Sequence, residues 1–234
     1  MKNEIIFDEE LHKYTVDGKE IPSVTEVLKV INKPSLNNWI FNVPINYISS
    51  KLGVGSTYNS EDLQYLLDLA SKEPDNIKNS ASLRGRIVHK AIEKHIKGES
   101  IDIDKKYKGY IDAFLKWKEE AQIDLIESET QVYYDAIGYG AYCGTLDIIG
   151  KKDDKLYLID IKTSKNFNPE NLLQTAAYQQ AYEVMFDKKI CKRIIVKLDK
   201  FGNFESLSTD EFGKDYNTFL SALNLFYYIN EFNN

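Results

Sequence analysis

The sequence predicts a mixed α/β fold with a sheet core flanked by helices. Three observations predict it. The first hundred residues are mostly of helical periodicity after an opening hairpin pattern, three runs rich in β-branched and aromatic residues follow one another, and helical and strand patterns then alternate. From residue 76 onward the predicted order is helix, helix, strand, strand, strand, helix, strand, strand, helix.

The bulk composition is that of a globular protein. With 234 residues, 43% hydrophobic and 28% charged, we expect a single domain over 1–234, in which 1–75 form an N-terminal hairpin and helical extension and 76–234 form the core. No stretch approaches the roughly 18 to 20 apolar residues of a membrane span, and no apolar signal-peptide core opens the sequence. A cytoplasmic protein without a membrane partner is therefore expected.

Charge and cysteine content exclude several classes of site. A net charge of −6 argues against broad, nonspecific binding of polyanions, which rests on a basic surface. Any contact with nucleic acid must be local, for instance at Arg84 and Arg86 on either side of Gly85. Cys143 and Cys191 are far apart with no second thiol at a ligand spacing, so neither a zinc knuckle nor an iron–sulfur cluster is expected.

The N-terminal elements follow from local signals. Residues 4–21 alternate apolar and polar side chains around Asp17-Gly18, a strong hairpin signal. Ser23 precedes Glu26 by three residues, which predicts a capped helix. Helical patterns then continue to Gly98, with breaks expected between 53 and 60 and at Pro74.

The core elements follow in the same way. An amphipathic helix is expected over 104–121, then three antiparallel strands between 124 and 163, interrupted by glycines and by the sequence KKDD. Asn168 caps a helix with Pro169 in its first turn. A strand over 189–199, a Gly202-Asn203 turn, a short strand and a last helix from about 209 complete the chain.

Two acids and a lysine lie on adjacent strands of this core. If the hairpin turns around Lys152-Asp153, Asp147 faces Leu158, and Asp160 lies two residues beyond it. Asp147, Asp160 and Lys162 then project from one face, where two carboxylates can hold one hard cation. The alternative is a surface ion pair between Asp160 and Lys162, worth about 0 to 1 kcal/mol.

The apolar neighbours of these acids are expected on the opposite face of the sheet. In this register Leu146, Ile148, Ile159 and Ile161 share the opposite face, where we expect the following helix to cover them.

Two helices offer further polar side chains. His89 and Glu93 are four residues apart, as are Gln174 and Tyr178, so each pair shares a helical face. The alternatives are a structural histidine, a glutamine in solvent and a tyrosine in the core, and each is the commoner outcome for such a residue taken alone.

The complete set resembles the PD-(D/E)XK nuclease superfamily, in its RecB-like exonuclease branch of the phage and mobile-element type. The match covers residues 84 to 178 and consists of His89, the Gly-Thr-Leu-Asp sequence at 144–147, Asp-Ile-Lys at 160–162 with Thr-Ser after it, and Gln174 with Tyr178. Glu129 looks like an acid that often lies on the first strand of this branch. Many relatives have Glu at position 160, and some carry four cysteines for an iron–sulfur cluster, which this chain lacks.

The resemblance implies a restriction-endonuclease-like core of the order αβββαβ, with one or two Mg²⁺ or Mn²⁺ ions. It implies that His89, Asp147, Asp160 and the Ile161 carbonyl hold the metal, that Lys162 orients or activates water, that Gln174 and Tyr178 contact DNA or align the lysine, and that Arg84 and Arg86 contact phosphates. Because the imidazole of His89 suits a softer ion, we expect Mn²⁺ to support activity at least as well as Mg²⁺.

The implied activity is that of a DNA exonuclease on single-stranded or end-containing DNA, in recombination, repair or phage DNA metabolism. A structure-specific endonuclease of the same fold and a catalytically silent nucleic-acid-binding module are the alternatives. No helicase motif is present in the sequence, so a helicase or recombinase partner would be a separate protein.

Overall fold

The computed structural model describes residues 4–8, 11, 13–53 and 55–232. Its contacts divide the chain into two compact units, one formed by residues 32–86 and the other by the residues up to 31 together with 87–234. The mixed α/β fold and the order of elements from residue 76 are confirmed. The strands are β1 (Ile5–Asp8), β2 (Lys13–Val16), β3 (Lys19–Ile21), β4 (Asp124–Ala136), β5 (Gly140–Lys152), β6 (Lys155–Lys162), β7 (Ile190–Leu198) and β8 (Phe204–Thr209); the helices are α1 (Val24–Val27), α2 (Pro34–Lys51), α3 (Ser60–Ile96), α4 (Lys105–Ala121), α5 (Pro169–Phe186) and α6 (Phe212–Phe232).

A small antiparallel sheet of the order β1-β2-β3 opens the chain. Asp17 and Gly18 both have positive φ, 49° and 77°, as the tight turn between β2 and β3 requires. The predicted hairpin is confirmed, although residues 9, 10 and 12 of its segment lie outside the described residues. Ser23 Oγ accepts a hydrogen bond from the Glu26 N–H at 3.1 Å, which caps α1 as expected.

The main sheet has the order β4-β5-β6-β7-β8. All neighbours are antiparallel except β6 and β7, which are parallel and connected by α5. Asn168 is the N-cap of α5 and Pro169 its first residue, as predicted. Because β6 and β7 are parallel, α5 begins near the C-terminal end of β6. Its first turns are therefore close to Lys162.

Both faces of the main sheet are covered. On one face Ile149 and Leu158 pack in a cluster with α5 and α6, and on the other Ile159 packs with α4 and the end of α3. The expectation that four apolar residues share one face under the following helix is therefore wrong. Leu146 lies in the first cluster, whereas Ile148, Ile159 and Ile161 lie in the second.

An irregularity in the sheet accounts for this difference. The ladder between β4 and β5 pairs Thr130 with Leu146 and Ser128 with Ile148, but it is interrupted between these pairs, where Glu129 adopts a φ of 50°. The register of the pairs is the same on both sides, but the positive φ of Glu129 departs from extended backbone, so the regular alternation of faces is lost at this point. Leu146 and Ile148 therefore contact opposite cores although they are two residues apart.

The turn between β5 and β6 lies one residue later than predicted. Asp153 and Asp154 form it, with φ values of 49° and 58°, and Lys152 pairs with Lys155. The expected pairing of Asp147 with Leu158 is wrong, because Leu158 pairs with Ile149. A turn shifted by one residue moves the cross-strand partners of residues 148–152 by two, and a shift of two residues by itself does not exchange the faces of a strand.

The unit of residues 32–86 is helical. It contains α2 and the first part of α3, with the predicted break between them. The break expected at Pro74 is wrong, because α3 continues through this residue. Pro74 removes the hydrogen bond to the carbonyl of Ala70 and its ring crowds that carbonyl, which costs about 3 kcal/mol, but its φ is compatible with a helix and the long helix continues on both sides. Within the described part of the chain, no helix combines the length and the apolar character that crossing a membrane demands.

Candidate active site

An acid and a lysine meet at the end of β6. Lys162 Nζ lies 2.9 Å from Asp160 Oδ1 and 2.8 Å from Asp160 Oδ2. The side chain of Asp160 is only 2% exposed and that of Lys162 20%, so the two do not form a surface ion pair. Asp160 Oδ2 is buried, and besides its ion pair with Lys162 it accepts no hydrogen bond from the described residues.

Asp147 of β5 is hydrogen-bonded to Ile161, the residue that follows Asp160. Its Oδ2 accepts a hydrogen bond from the Ile161 N–H at 2.7 Å, and its Oδ1 lies 3.4 Å from His89 Nδ1. The other ring nitrogen of His89, Nε2, lies 3.1 Å from the Ile161 carbonyl oxygen. This carbonyl fixes the orientation of the ring and directs Nδ1 towards the carboxylates.

Glu129 completes a set of metal-type donors. Its Oε1 lies 3.9 Å from His89 Nδ1, and one donor atom from each of His89, Glu129 and Asp147 lies within 4.8 Å of the others. Glu129 adopts a positive φ, which is uncommon outside glycine and is found at functional sites. In the sequence, only the resemblance indicated that Glu129 belongs to the site. Its position near Asp147 depends on how β4 pairs with β5, which local patterns do not specify.

The charges of these groups act strongly on one another. Burial alone would lower the pKa of His89, but the negative charge of Asp147 and a hydrogen bond with it raise that pKa to about 9. Burial alone would raise the pKa of Asp147, whereas the same contact with His89 and the charge of Lys162 hold it below its ordinary value.

The other two acids titrate at higher pH than usual. Burial and the charge of Asp147 raise the pKa of Asp160 to about 6 against the opposing effect of Lys162. Burial and the charge of Asp147 raise the pKa of Glu129 to about 7. The site therefore concentrates more negative charge than His89 and Lys162 offset, and a bound cation would relieve this repulsion.

Helix α5 holds the lysine from the other side. Gln174 Oε1 accepts a hydrogen bond from Lys162 Nζ at 3.1 Å, and Gln174 Nε2 donates to Tyr178 Oη at 3.2 Å. Tyr178 is buried against Gly144, where an added Cβ would lie 2.6 Å from the tyrosine ring. Gln174 is therefore hydrogen-bonded to the lysine and to Tyr178.

The structure thus brings most of the predicted site residues together in one unit: His89, Asp147, Asp160, Ile161, Lys162, Gln174 and Tyr178. Arg84 and Arg86 lie on α3 within the unit of residues 32–86, and their contact with phosphates stays a prediction. Tyr14, whose hydroxyl lies 2.8 Å from Thr145 Oγ1, was not predicted as a site residue. Tyr14 is in the segment outside the motif match, and no local pattern distinguishes it.

The donor set fits a hard divalent cation. Carboxylate oxygens are the preferred ligands of Mg²⁺ and Mn²⁺, and an imidazole nitrogen is compatible with Mn²⁺. His89 Nδ1 and the carboxylates of Glu129 and Asp147 supply such donors, and Asp160 adds a buried carboxylate whose Oδ2 has only the ion pair with Lys162. These residues could hold one or two ions.

No protein-family model matches the chain, and no curated protein matches its sequence. A candidate exonuclease from Eubacterium rectale, known from a crystal structure, is similar at 9% identity with a TM-score of 0.45 over 61% of this chain and 64% of that one. The chain thus spans less than two thirds of that protein. SSO0001, also a crystal structure, is similar at 12% identity with a TM-score of 0.39 over 80% of this chain and 83% of that one. With scores this low, neither likeness bears on what the chain does.

Proposed function

We propose that the chain is a metal-dependent deoxyribonuclease, an exonuclease that hydrolyses phosphodiester bonds of single-stranded or end-containing DNA. The observation that carries this proposal is the convergence of Asp147, Asp160 and Lys162 at the point where β5 and β6 separate. The lysine is held between a buried carboxylate and Gln174.

Metal binding would fall to His89, Asp147 and Asp160, with Glu129 as a further donor. A divalent ion bound there would polarise the scissile phosphate and lower the pKa of a water molecule. The Ile161 carbonyl, which the resemblance implies as a ligand, already accepts from His89 and retains a second lone pair. Its contribution to the metal site is part of the proposal.

Lys162 would act on the reacting phosphate and the attacking water. Its ammonium has three N–H donors, of which one is given to Asp160 and one to Gln174. The third is left to hydrogen-bond the attacking water or a phosphate oxygen. The positive charge would stabilise the negative charge that develops on the phosphate in the transition state. Gln174 would fix the direction of this third donor, and Tyr178 would fix Gln174.

DNA would reach the site through local contacts, because the net charge of −6 provides no general attraction for polyanions. We assign Arg84 and Arg86 to phosphate contacts. Removing one of them should weaken binding for every sequence and flatten the salt dependence of binding by about one unit. Action beside a separate helicase or recombinase belongs to the same proposal.

The test is cleavage of end-labelled linear single-stranded and duplex DNA, beside a circular single strand, with Mg²⁺, Mn²⁺ or EDTA. The wild type is compared with Lys162→Ala and with the matched variant Lys155→Ala, which removes an exposed lysine from the other end of β6. We expect metal-dependent loss of the linear strands in the wild type and in Lys155→Ala, and none in Lys162→Ala.

The outcomes separate the alternatives. Cleavage of the circular strand would make the protein an endonuclease of the same fold. Absence of cleavage of any DNA with either metal, in a folded wild type, would contradict nuclease activity and favour a silent binding module.

A further inference from the structure

Strand β5 has two different neighbours along one edge. Its other edge is paired with β4 along most of its length. On the first edge, residues 148–152 pair with β6, whereas the Cys143 N–H donates to the Pro22 carbonyl at 3.1 Å and Cys143 pairs with Ser23. The N-terminal segment therefore takes the place of β6 along the first part of β5.

Residues 144–147 lie between these two neighbours, and they include Asp147. Two tyrosine side chains, each from a different element, contact this short segment. Tyr178 of α5 packs against Gly144, and Tyr14 of β2 places its hydroxyl 2.8 Å from Thr145 Oγ1. The contact between Tyr14 and Thr145 joins residues 131 positions apart. Asp147 lies two residues after Thr145 along β5.

Apart from the contacts of its side chain with Ile161 and His89, Asp147 pairs with neither neighbouring strand. The ladder to β4 is interrupted there, and pairing with β6 begins only at Ile148. The backbone of Asp147 is thus held mainly through the residues on either side of it. On the N-terminal side of Asp147, the Tyr14 hydroxyl of the N-terminal sheet contacts the side chain of Thr145.

We propose that Tyr14 is a positioning residue for the metal site. Through Thr145 it fixes the segment that carries Asp147, so the N-terminal sheet is part of the catalytic unit. Tyr14 is 7% exposed and packs against Phe7, which gives its hydroxyl a defined position. This role rests on the proposed function, because it gives Tyr14 a purpose only if Asp147 binds a metal ion.

A purely structural role is the competing explanation, and Tyr227 offers a matched control. The Tyr227 hydroxyl donates to the Ala141 carbonyl at 2.7 Å, so it too bonds to β5, but further from Asp147. Tyr227→Phe and Tyr14→Phe each remove one hydroxyl contact with the same strand. Their effects on stability should be similar, whereas their effects on metal binding should differ.

The experiment measures Mn²⁺ affinity by titration calorimetry, at a temperature where every variant is folded. The wild type is compared with Tyr14→Phe, Thr145→Val, the double variant, Thr145→Ser and Tyr227→Phe. We expect Tyr14→Phe and Thr145→Val each to weaken Mn²⁺ binding by about 3- to 10-fold, the range of one lost hydrogen bond. The double variant should be no weaker than either single variant. Thr145→Ser, which keeps the hydroxyl, and Tyr227→Phe should bind like the wild type.

A wild type that binds Mn²⁺ while Tyr14→Phe binds it equally well would overturn the positioning role and leave the proposed function intact. Equal weakening in Tyr14→Phe and Tyr227→Phe would overturn it too, because the effect would then be one of general stability. A wild type that binds no Mn²⁺ would contradict the proposed metal site itself, whatever the variants do. In cleavage assays at a subsaturating Mn²⁺ concentration, Tyr14→Phe should lower kcat and leave the KM for DNA unchanged, and saturating metal should restore kcat.

Discussion

The carboxylate of Asp147 accepts a hydrogen bond from the backbone N–H of Ile161 at 2.7 Å, just beyond the last pair of the ladder between β5 and β6. A side chain thus takes over the role of a ladder bond where the two strands separate. Asp147 consequently has a structural task as well as its proposed metal-binding one, and the two tasks can be separated by substitution.

Asp147→Asn keeps an oxygen that can accept from Ile161 but removes the charge. We expect it to be less destabilising than Asp147→Ala in the absence of metal, because the hydrogen bond from Ile161 is retained and only the charge contact with His89 is lost. Its metal-dependent cleavage should fall by at least about 100-fold. Asp147→Ala should in addition lose about 1–3 kcal/mol, because the N–H of Ile161 is left without a partner. Urea unfolding beside the cleavage assay checks both, and full activity in Asp147→Asn would contradict the metal-binding role.

The buried pair of Asp160 and Lys162 should be more sensitive to loss of one partner than of both. Lys162→Ala leaves a buried carboxylate without its cation, which costs about 3 kcal/mol or more. The double variant Asp160→Asn with Lys162→Met should recover much of this loss while remaining inactive. Denaturant unfolding of the two variants provides the comparison. A double variant less stable than Lys162→Ala would show that the charge pair itself stabilises the fold.

The close approach of Gly144 to Tyr178 can be tested with a methyl group. A Cβ at position 144 would lie 2.6 Å from the Tyr178 ring, so Gly144→Ala should displace the ring and with it Gln174 and Lys162. We expect a loss of about 1–3 kcal/mol and reduced cleavage. The matched control is Gly213→Ala, because a Cβ there meets no atom within 4 Å. If both variants were equally active, Tyr178 would have no part in aligning the lysine.

The stability of the fold should depend on pH through Glu183. Burial alone would raise the pKa of Glu183, but hydrogen bonds from Lys189, Gln179 and the Ile190 N–H hold it below the ordinary value of 4.5. A lowered folded pKa means stability that is complete above about pH 4.5 and is lost as the pH falls through the folded pKa. Glu183→Gln should therefore cost about 1–2 kcal/mol at pH 7 and clearly less at pH 3. Urea unfolding of both proteins at the two pH values measures this, and a pH-independent difference would contradict it.

The metal preference should depend on His89. An imidazole donor suits Mn²⁺ better than Mg²⁺, so the wild type should be at least as active with Mn²⁺. His89→Asn should lower cleavage with Mn²⁺ more than cleavage with Mg²⁺. Metal titrations of both proteins at fixed DNA concentration give the two ratios. Higher turnover of the wild type with Mg²⁺ throughout the titration would count against an imidazole ligand.

Much of the fold could be predicted from local patterns. The hairpin at Asp17-Gly18, the cap at Ser23, the helix that begins after Asn168 and the succession of elements from residue 76 all depend on interactions between residues close in sequence. Such interactions are encoded in side-chain periodicity and in turn chemistry, so they can be recognised without knowledge of the tertiary structure. Pro74 was an exception, because a long helix tolerates the loss of one hydrogen bond.

The faces and the pairing registers of the strands were harder to predict from the sequence. A shift of one residue in the turn at Asp153-Asp154 moved the β6 partners of residues 148–152 by two. The irregular backbone opposite Asp147 placed Leu146 and Ile148 on different faces. The common face of Asp147 and Asp160 survived because a shift of two residues preserves the alternation of side chains.

By itself, the sequence determined the class of fold, the order of its elements and the side chains that could carry the proposed chemistry. Only the tertiary structure decided that Lys162 is held by Gln174, that Glu129 lies beside His89 and that Tyr14 contacts the strand bearing Asp147. These contacts join residues 12, 40 and 131 positions apart, respectively. The physical reason is that local preferences act over a few residues, whereas such contacts depend on how complete strands and helices pack, which no local pattern specifies.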